Sequence, residues 1–332
     1  MRRIVLAAFA VAALGTGTAQ GYSNLFAFGD SLTDGGNAFA LTSGANALPP
    51  LYWPPTPPAA QRFSNGMTAA ELLAPMLGLP AIQRSTAGGT NYAVGGATTD
   101  TRNYNYEIGY PPGLPATLQN TGMQSQVGQF LGGVHPNIAD SLFFLWGGPD
   151  DVFLGAATGG DVGAAAAAAQ AVGNLAGLVQ GLAGAGARHF VVLNMPDLGS
   201  TPGGKASGNA AGLTFLSAQF NLGLADAMNQ LETALPVLDI TVFDTFALLA
   251  KVTATPGAYG LSNVTSPCLA SLASISAGCA GYLYFDEIHP TTFTHAIVAN
   301  AIYTQLVPEP GTWAMLAAGL LVLTLAVRRR LG

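Results

Sequence analysis

Phe28-Gly29-Asp30-Ser31-Leu32-Thr33-Asp34-Gly35-Gly36-Asn37 follows the short apolar run Leu25-Phe26-Ala27-Phe28 and places a serine where a strand should end. A strand-to-helix turn tightened by glycine lifts such a hydroxyl clear of the sheet. The helix beyond is expected to offer free N–H donors and a positive dipole end to a developing oxyanion, which makes Ser31 a candidate nucleophile. Ser31 and Asp34 also fit a Ser-x-x-acid helix start, in which the hydroxyl only caps a backbone N–H.

The far end of the chain decides between these readings. Tyr284-Phe285-Asp286-Glu287-Ile288-His289-Pro290-Thr291 holds an aspartate three residues before a histidine, with a proline fixing the turn after it. At that offset Asp286 can accept the imidazole N–H of His289, set its tautomer and stabilise the imidazolium formed when the ring takes a serine proton. Taken alone, Asp-x-x-His is a weak pattern, and a lone histidine is usually a satisfied surface or loop residue.

Between these ends, short β-branched and aromatic runs alternate with long helical patterns, the signature of a parallel sheet covered by helices on both faces. Five strands are predicted, at 25–28, 90–94, 141–146, 189–194 and 240–243. Motif residues cluster at or just past their carboxyl ends, where open α/β sheets place their sites. Val172, Leu175, Val179 and Leu182 form one apolar helical stripe, and Leu213, Leu216, Phe220, Leu224, Met228, Leu231 and Leu235 form another; both read as core. The alanine- and glycine-rich stretch 155–187 carries the first stripe and therefore reads as a helix, not a linker. Loops 49–58, with Tyr52 and Trp53, and 101–115, with Tyr104, Tyr106 and Tyr110, should overhang the Ser31 end of the sheet, as acyl- or sugar-binding walls or as plain surface loops.

Together the motifs resemble the GDSL, or SGNH, hydrolases along almost the whole exported length. The resemblance is carried by Gly29-Asp30-Ser31-Leu32, Asn91-Tyr92-Ala93-Val94-Gly95-Gly96-Ala97-Thr98, Trp146-Gly147-Gly148-Pro149-Asp150-Asp151 and Asp286-x-x-His289. Arg62-Phe63-Ser64-Asn65-Gly66 and Val192-Leu193-Asn194-Met195-Pro196-Asp197-Leu198-Gly199 look like segments of the bacterial phospholipase, lecithinase and haemolysin branch. The resemblance implies a flavodoxin-like three-layer α/β/α sandwich around a five-stranded parallel sheet. It makes Ser31 the nucleophile, His289 the base and Asp286 its orienter, with the Ser31 and Gly96 N–H groups in the oxyanion hole. One position departs: where the family has Gly-x-Asn-Asp, this chain has Gly148-Pro149-Asp150-Asp151, so the oxyanion-hole asparagine is Asp150. The implied activity is an exported carboxylic ester hydrolase working through an acyl-Ser31 intermediate, without metal or cofactor. Its substrate is a small-molecule, lipid or polysaccharide ester. Rival readings are an acyltransferase or deacetylase acting on lipid or exopolysaccharide, and a surface binding protein impaired in catalysis by Asp150.

The 332 residues, half of them apolar, suffice for one large core. Residues 1–19 read as a secretory signal, with Arg2 and Arg3, an apolar run from Ile4 to Leu14, and Gly17 and Ala19 before a cut; the run is short of the ~20 residues a spanning helix needs. The hydrolase domain is expected over 20–306. Residues 307–332, with Val307-Pro308-Glu309-Pro310, an uncharged stretch 313–327 and Arg328-Arg329-Arg330, resemble a PEP-CTERM sorting signal of Gram-negative bacteria. That signal implies cleavage by an exosortase-type protease, transient anchoring in the inner membrane through the terminal segment alone, and a body at the cell surface or outside the cell; an ordinary C-terminal anchor is the alternative.

Loss of both ends takes the net charge from −6 to about −11, with no basic cluster left to neutralise phosphates, which excludes nucleic acid as a partner. Cys268 and Cys279, close in sequence and exported, read as a disulfide. His135, His189 and His295 have no ligand spacing with His289, His-Glu-x-x-His is absent, and no glycine-rich stretch carries a phosphate-binding lysine. The Gly-x-Ser-x-Gly elbow of α/β-hydrolases is absent as well.

Overall fold

Leu25–Gly29 (β1), Leu142–Trp146 (β2) and His189–Leu193 (β3) are almost continuously apolar and almost wholly buried, and with Asp239–Phe243 (β4) they form one parallel sheet in the order β1-β2-β3-β4. Strands covered on both faces need no polar alternation, which is why they read as unbroken hydrophobic runs. In this computed structural model residues 21–42, 48, 61–307 and 319 are described. The chain divides into two compact units, Tyr22–Tyr303, which contains the sheet, and Met1–Gly21 with Thr304–Gly332. The expected leader 1–19, the loop 49–58 with Tyr52 and Trp53, and the sorting segment from 308 onward, Gly319 apart, lie outside the described residues.

The fifth strand expected at 90–94 is reduced to a bridge. Ala27 pairs with Asn91 in parallel, and the ladder continues as Ala27 N–H to Thr90 O (3.0 Å), Tyr92 N–H to Ala27 O (2.7 Å) and Val94 N–H to Gly29 O (3.1 Å). On the outer side Arg84 pairs with Asn91 in parallel, and the Asn37 side chain donates to the Asn91 and Ala93 carbonyls, so the edge is covered. With this segment outside β1, the spatial order is that of the flavodoxin-like sheet.

The helices are α1 (Asn37–Thr42), α2 (Ala69–Met76), α3 (Tyr104–Ile108), α4 (Met123–Leu131), α5 (Pro149–Gly184), α6 (Pro202–Ala206), α7 (Ala210–Ala234), α8 (Thr245–Ala254), α9 (Leu272–Ser276) and α10 (Thr292–Leu306). Alternate strand residues face opposite layers. Phe26, Phe28, Phe143, Leu145, Phe190 and Val192 pack with Phe130 of α4, Leu175 and Val179 of α5, and Phe220, Leu224 and Met228 of α7. On the other face the Trp146 ring meets His295 of α10, whose Nδ1 accepts from Ala69 N–H at the start of α2. By length and composition α5 could cross a membrane. It is instead two core helices joined at Gly159 and Gly160, whose backbones leave the helical region, and close approach of Gly155 to the Gly163 backbone requires glycine there.

A second, two-stranded parallel sheet, Asn263–Pro267 (β5) with Tyr282–Tyr284 (β6), was not legible in the sequence pattern. Cys268 and Cys279 form a disulfide between these strands, with Cα atoms 5.4 Å apart. The bridge packs on Phe285, whose carbonyl accepts from Leu269 N–H and whose N–H donates to His289 O. Closing a loop of this size contributes about 2–4 kcal/mol. The double variant Cys268→Ser/Cys279→Ser is therefore expected to lose that much in denaturant titration, and an unshifted midpoint would contradict it.

Candidate active site

The site is assembled at the carboxyl edge of the sheet, where Gly29, Trp146, Leu193 and Phe243 are level in register. Gly29 has to be glycine, because a Cβ there would overlap the Trp146 carbonyl oxygen. Gln126 of α4 grips both sides of Gly29, its Oε1 accepting the N–H and its Nε2 donating to the carbonyl, each at 2.9 Å. The chain then turns, with Thr33 and Asp34 N–H groups donating to Asp30 O, and presents Ser31.

Here the structure corrects one expectation. Ser31 is not at a helix N-terminus: α1 begins only at Asn37, and the N–H groups of Gly36, Asn37 and Ala38 are taken by the Asp34 carboxylate. Asp34 also accepts from Gly95 N–H (2.9 Å), so it ties the serine turn to the Gly95-Gly96 loop and is no partner of a serine cap. Burial pushes its carboxyl up to about 6.

Ser31 Oγ lies 2.7 Å from His289 Nε2, and His289 Nδ1 lies 2.7 Å from Asp286 Oδ2. Asp286 Oδ1 also accepts from the N–H groups of Ile288 and His289, so a single turn orients both side chains. Burial alone would raise the Asp286 carboxyl, but the His289 charge and these hydrogen bonds outweigh it and hold Asp286 below the ordinary carboxylate value. With Nδ1–H held by the carboxylate, Nε2 is the free acceptor facing the hydroxyl.

The Arg62–Gly66 motif holds this turn from outside. Ser64 Oγ donates to Pro290 O, while Asn65 accepts from Thr292 N–H and donates to Gly278 O in the disulfide loop. Arg62 is paired with Glu71 through two hydrogen bonds, and Glu71 also accepts from Thr68 N–H at the N-cap of α2. The Phe63 ring packs 5.2 Å from the His289 ring.

Gly96, at φ +84°, occupies the left-handed region where glycine is favoured. The peptide before it is pinned: Asn103 Nδ2 donates to Gly95 O at 2.9 Å. Because carbonyl and N–H point opposite ways across a trans peptide, this turns the Gly96 N–H away from Asn103. Tyr104 N–H donates to Gly96 O. Asn103 is completely buried, and the sequence reading missed both it and Gln126. Asparagine before a short helical run was the available signal for Asn103, as the N-cap of α3.

Asp150 lies in the first turn of α5, behind Gly148 at φ +125°, and is 7% exposed. Its carboxyl makes no hydrogen bond with the described residues. Burial, then the charges of Asp30 and Asp151, push it well above the ordinary carboxylate value. Asp30 is 1% exposed, keeps Oδ2 without a hydrogen-bond partner among the described residues, and is raised to about 7, chiefly by burial. Asp151 turns away and accepts from the Thr99 N–H and hydroxyl.

Ser31, Gly96, Asp150 and His289 share the wall of one cleft of about 460 Å³, with apolar sides from Phe63, Tyr104, Phe153, Leu198, Leu213 and Ile288. Its acidic members are Asp150 and Asp161, and no lysine or arginine lines it among the described residues. Of the three aromatics of the 101–115 loop, Tyr104 faces this cleft, Tyr106 packs in a small core cluster with Phe63 and Leu118, and Tyr110 is 68% exposed.

The sequence pattern of the GDSL-like lipase/acylhydrolase family matches residues 25–302. The chain belongs to that family. A GDSL relative, the esterase EstA of Pseudomonas aeruginosa, is 29% identical over 86% of this chain and 47% of its own length. The thermolabile hemolysin of Vibrio parahaemolyticus is 26% identical over 84% of this chain and 62% of its own. This GDSL chain thus spans about half to two thirds of the length of those relatives. Among solved structures it is similar to Est24, a carbohydrate acetylesterase of Sinorhizobium meliloti, at 16% identity and TM-score 0.44, covering 86% of this chain and 98% of that one. Residues 306–330 match the PEP-CTERM protein-sorting motif.

Proposed function

We propose that this chain is an exported serine ester hydrolase whose catalytic side chains are Ser31, His289 and Asp286. The observation that carries the reading is the hydrogen-bonded run from Ser31 Oγ through His289 to Asp286, opening into a cleft that Gly96 also lines. Ser31 Oγ attacks the ester carbonyl carbon while its proton passes to His289 Nε2, and the carbonyl π pair moves onto oxygen. The resulting oxyanion faces the backbone N–H groups of Ser31 and Gly96. Collapse expels the alcohol, which takes the proton from His289. Water then repeats the sequence on acyl-Ser31 and releases the acid.

The cleft supports an uncharged ester with an apolar acyl part. Its aromatic and aliphatic walls suit a hydrocarbon chain, whereas an anionic headgroup would meet the Asp150 and Asp161 carboxyls without a basic partner. The acidic lining supports neutral lipid and acetyl esters as substrates ahead of phospholipids. An acyltransferase would differ only in that a sugar hydroxyl rather than water takes the acyl group. A fluorophosphonate probe tests the reading, because it labels an activated serine and ignores a cap. Labelling of wild type that vanishes in Ser31→Ala supports it, and an unlabelled wild type favours a binding protein impaired at Asp150.

The sorting motif supports a further step, removal of the apolar C-terminal segment near Pro308–Pro310 by an exosortase-type protease, with transient anchoring in the inner membrane beforehand. In a host that carries the protease, mass spectrometry of the mature extracellular form is expected to find no peptide from 313–330. Intact peptides from that stretch would point to a plain anchor.

A further inference from the structure

The aspartate at position 150 leaves the site short of one amide donor, and a different amide stands beside it. Asn105 lies in the first turn of α3, two residues after Asn103, on a helix start fixed to the Gly95-Gly96 loop from two directions. Asn103 donates to Gly95 O, and Tyr104 N–H donates to Gly96 O. The side chain of Asn105 turns back over Gly96: a Cβ built on that glycine would run into Asn105 Nδ2, its nearest neighbour, and would meet Asn103 Oδ1 at 2.7 Å. Gly96 is therefore glycine partly to make room for the Asn105 amide.

Three further observations give that amide a role. Asn105 lines the same cleft as Ser31, Gly96, Asp150 and His289. It is half-buried, and its carboxamide has no hydrogen-bond partner among the described residues, unlike Asn103, whose amide is fully engaged. The other asparagine lining the cleft, Asn209, is committed to Asp161. A half-buried amide with free N–H groups beside an oxyanion donor is a donor awaiting an acceptor, and developing negative charge selects Nδ2 over Oδ1 as the atom that faces in.

We infer that the Asn105 carboxamide completes the oxyanion hole in this chain, donating to the oxyanion from the Gly96 side in place of the asparagine missing at position 150. This rests on the serine-hydrolase reading above, so Asn105 would be a catalytic residue contributed by the 101–110 segment, with Asn103 as the residue that positions the loop. The arrangement explains how an acidic residue can occupy position 150: the third hydrogen bond comes from a neutral group whose donor capacity does not depend on protonation.

The test is a cycle of Asn105→Ala and Asp150→Asn, measured as kcat and KM on a neutral p-nitrophenyl ester and as affinity for a phenylboronic acid, whose adduct with Ser31 mimics the tetrahedral oxyanion. Asn105→Ala alone is expected to lower kcat about 10²-fold with little change in KM, and to weaken the boronate by a similar factor. In the Asp150→Asn background the same substitution should cost about tenfold or less, because a second carboxamide is then available. Equal losses in both backgrounds, or a kcat within about threefold of wild type, overturn the inference while leaving Ser31 labelling intact. The isosteric Asn105→Asp, with thermal midpoints for every variant, separates lost donation from lost folding: a loss of kcat at unchanged midpoint supports donation, and one that tracks the midpoint overturns it. Wild type that neither turns over ester nor takes the fluorophosphonate removes the serine-hydrolase reading itself, and the inference with it.

Discussion

Ser31→Ala and His289→Ala are each expected to reduce ester turnover by about 10⁴–10⁶-fold, with the double variant little worse than either, because members of a hydrogen-bonded nucleophile–base pair act as a unit. In Ser31→Ala stability should barely respond. Ser31 is only partly buried, and its hydroxyl is bonded to a histidine at a cleft wall, so its removal costs about 1 kcal/mol, a few degrees in Tm. Asp286→Asn should retain more activity than either. Asparagine keeps an oxygen to accept the Ile288 and His289 N–H groups, so the turn survives, while the tautomer of His289 and the stabilisation of its imidazolium are lost. Steady-state kinetics with thermal melts of the same samples check all three, and substantial turnover in Ser31→Ala would sink the assignment.

Asp150→Asn is expected to raise kcat by at least about tenfold on the alkaline side of the pH profile, with the gain shrinking toward acid. The sign follows from the carboxyl's surroundings. Burial first, then Asp30 and Asp151, raise Asp150 well above its ordinary value, so the neutral form survives to higher pH than in water. Below its raised pKa Asp150 can donate its one proton; above it, Asp150 can only accept and sets negative charge beside the oxyanion. His289 acts the other way, since it must be neutral to take the Ser31 proton. Wild type is thus expected to show a falling alkaline limb that Asp150→Asn lacks, while both share the acid limb set by the base. If the variant's pH profile superimposes on wild type, Asp150 does not face the oxyanion, and the correspondence of Gly148-Pro149-Asp150-Asp151 with Gly-x-Asn-Asp is wrong.

Much of this site was legible in the chain. Asp286 and His289 are three residues apart, so one turn suffices to pair them, and short-range geometry of that kind can be read from spacing. Gly96 meets a local demand, a positive φ, whereas the reason for Gly29, a close approach to the Trp146 carbonyl, appears only in the folded chain. Asn103, Gln126 and Asn105 were not legible. Each is an amide in a segment of otherwise ordinary polar composition, and its partner is set by which distant loop packs beside it: Gln126 reaches Gly29 across 97 positions.

By itself the sequence determined the parallel α/β architecture, since strands buried on both faces leave an apolar signature at every position, and the stripes of α5 and α7 mark the layer that covers one face. It also determined which chemistry-bearing residues the chain possesses. Only the tertiary structure decided that 90–94 is a bridge and not a strand, that Ser31 sits in a turn whose helix begins later, that Asp150 is buried and further raised by the Asp30 charge while Asp151 is spent on Thr99, and that an amide without a partner among the described residues lies over Gly96. The division has one physical cause. Hydrophobic burial repeats along an element and so averages into a readable pattern, whereas the partner of a single amide or carboxyl is fixed by one close approach between segments far apart in the chain, which no local pattern records.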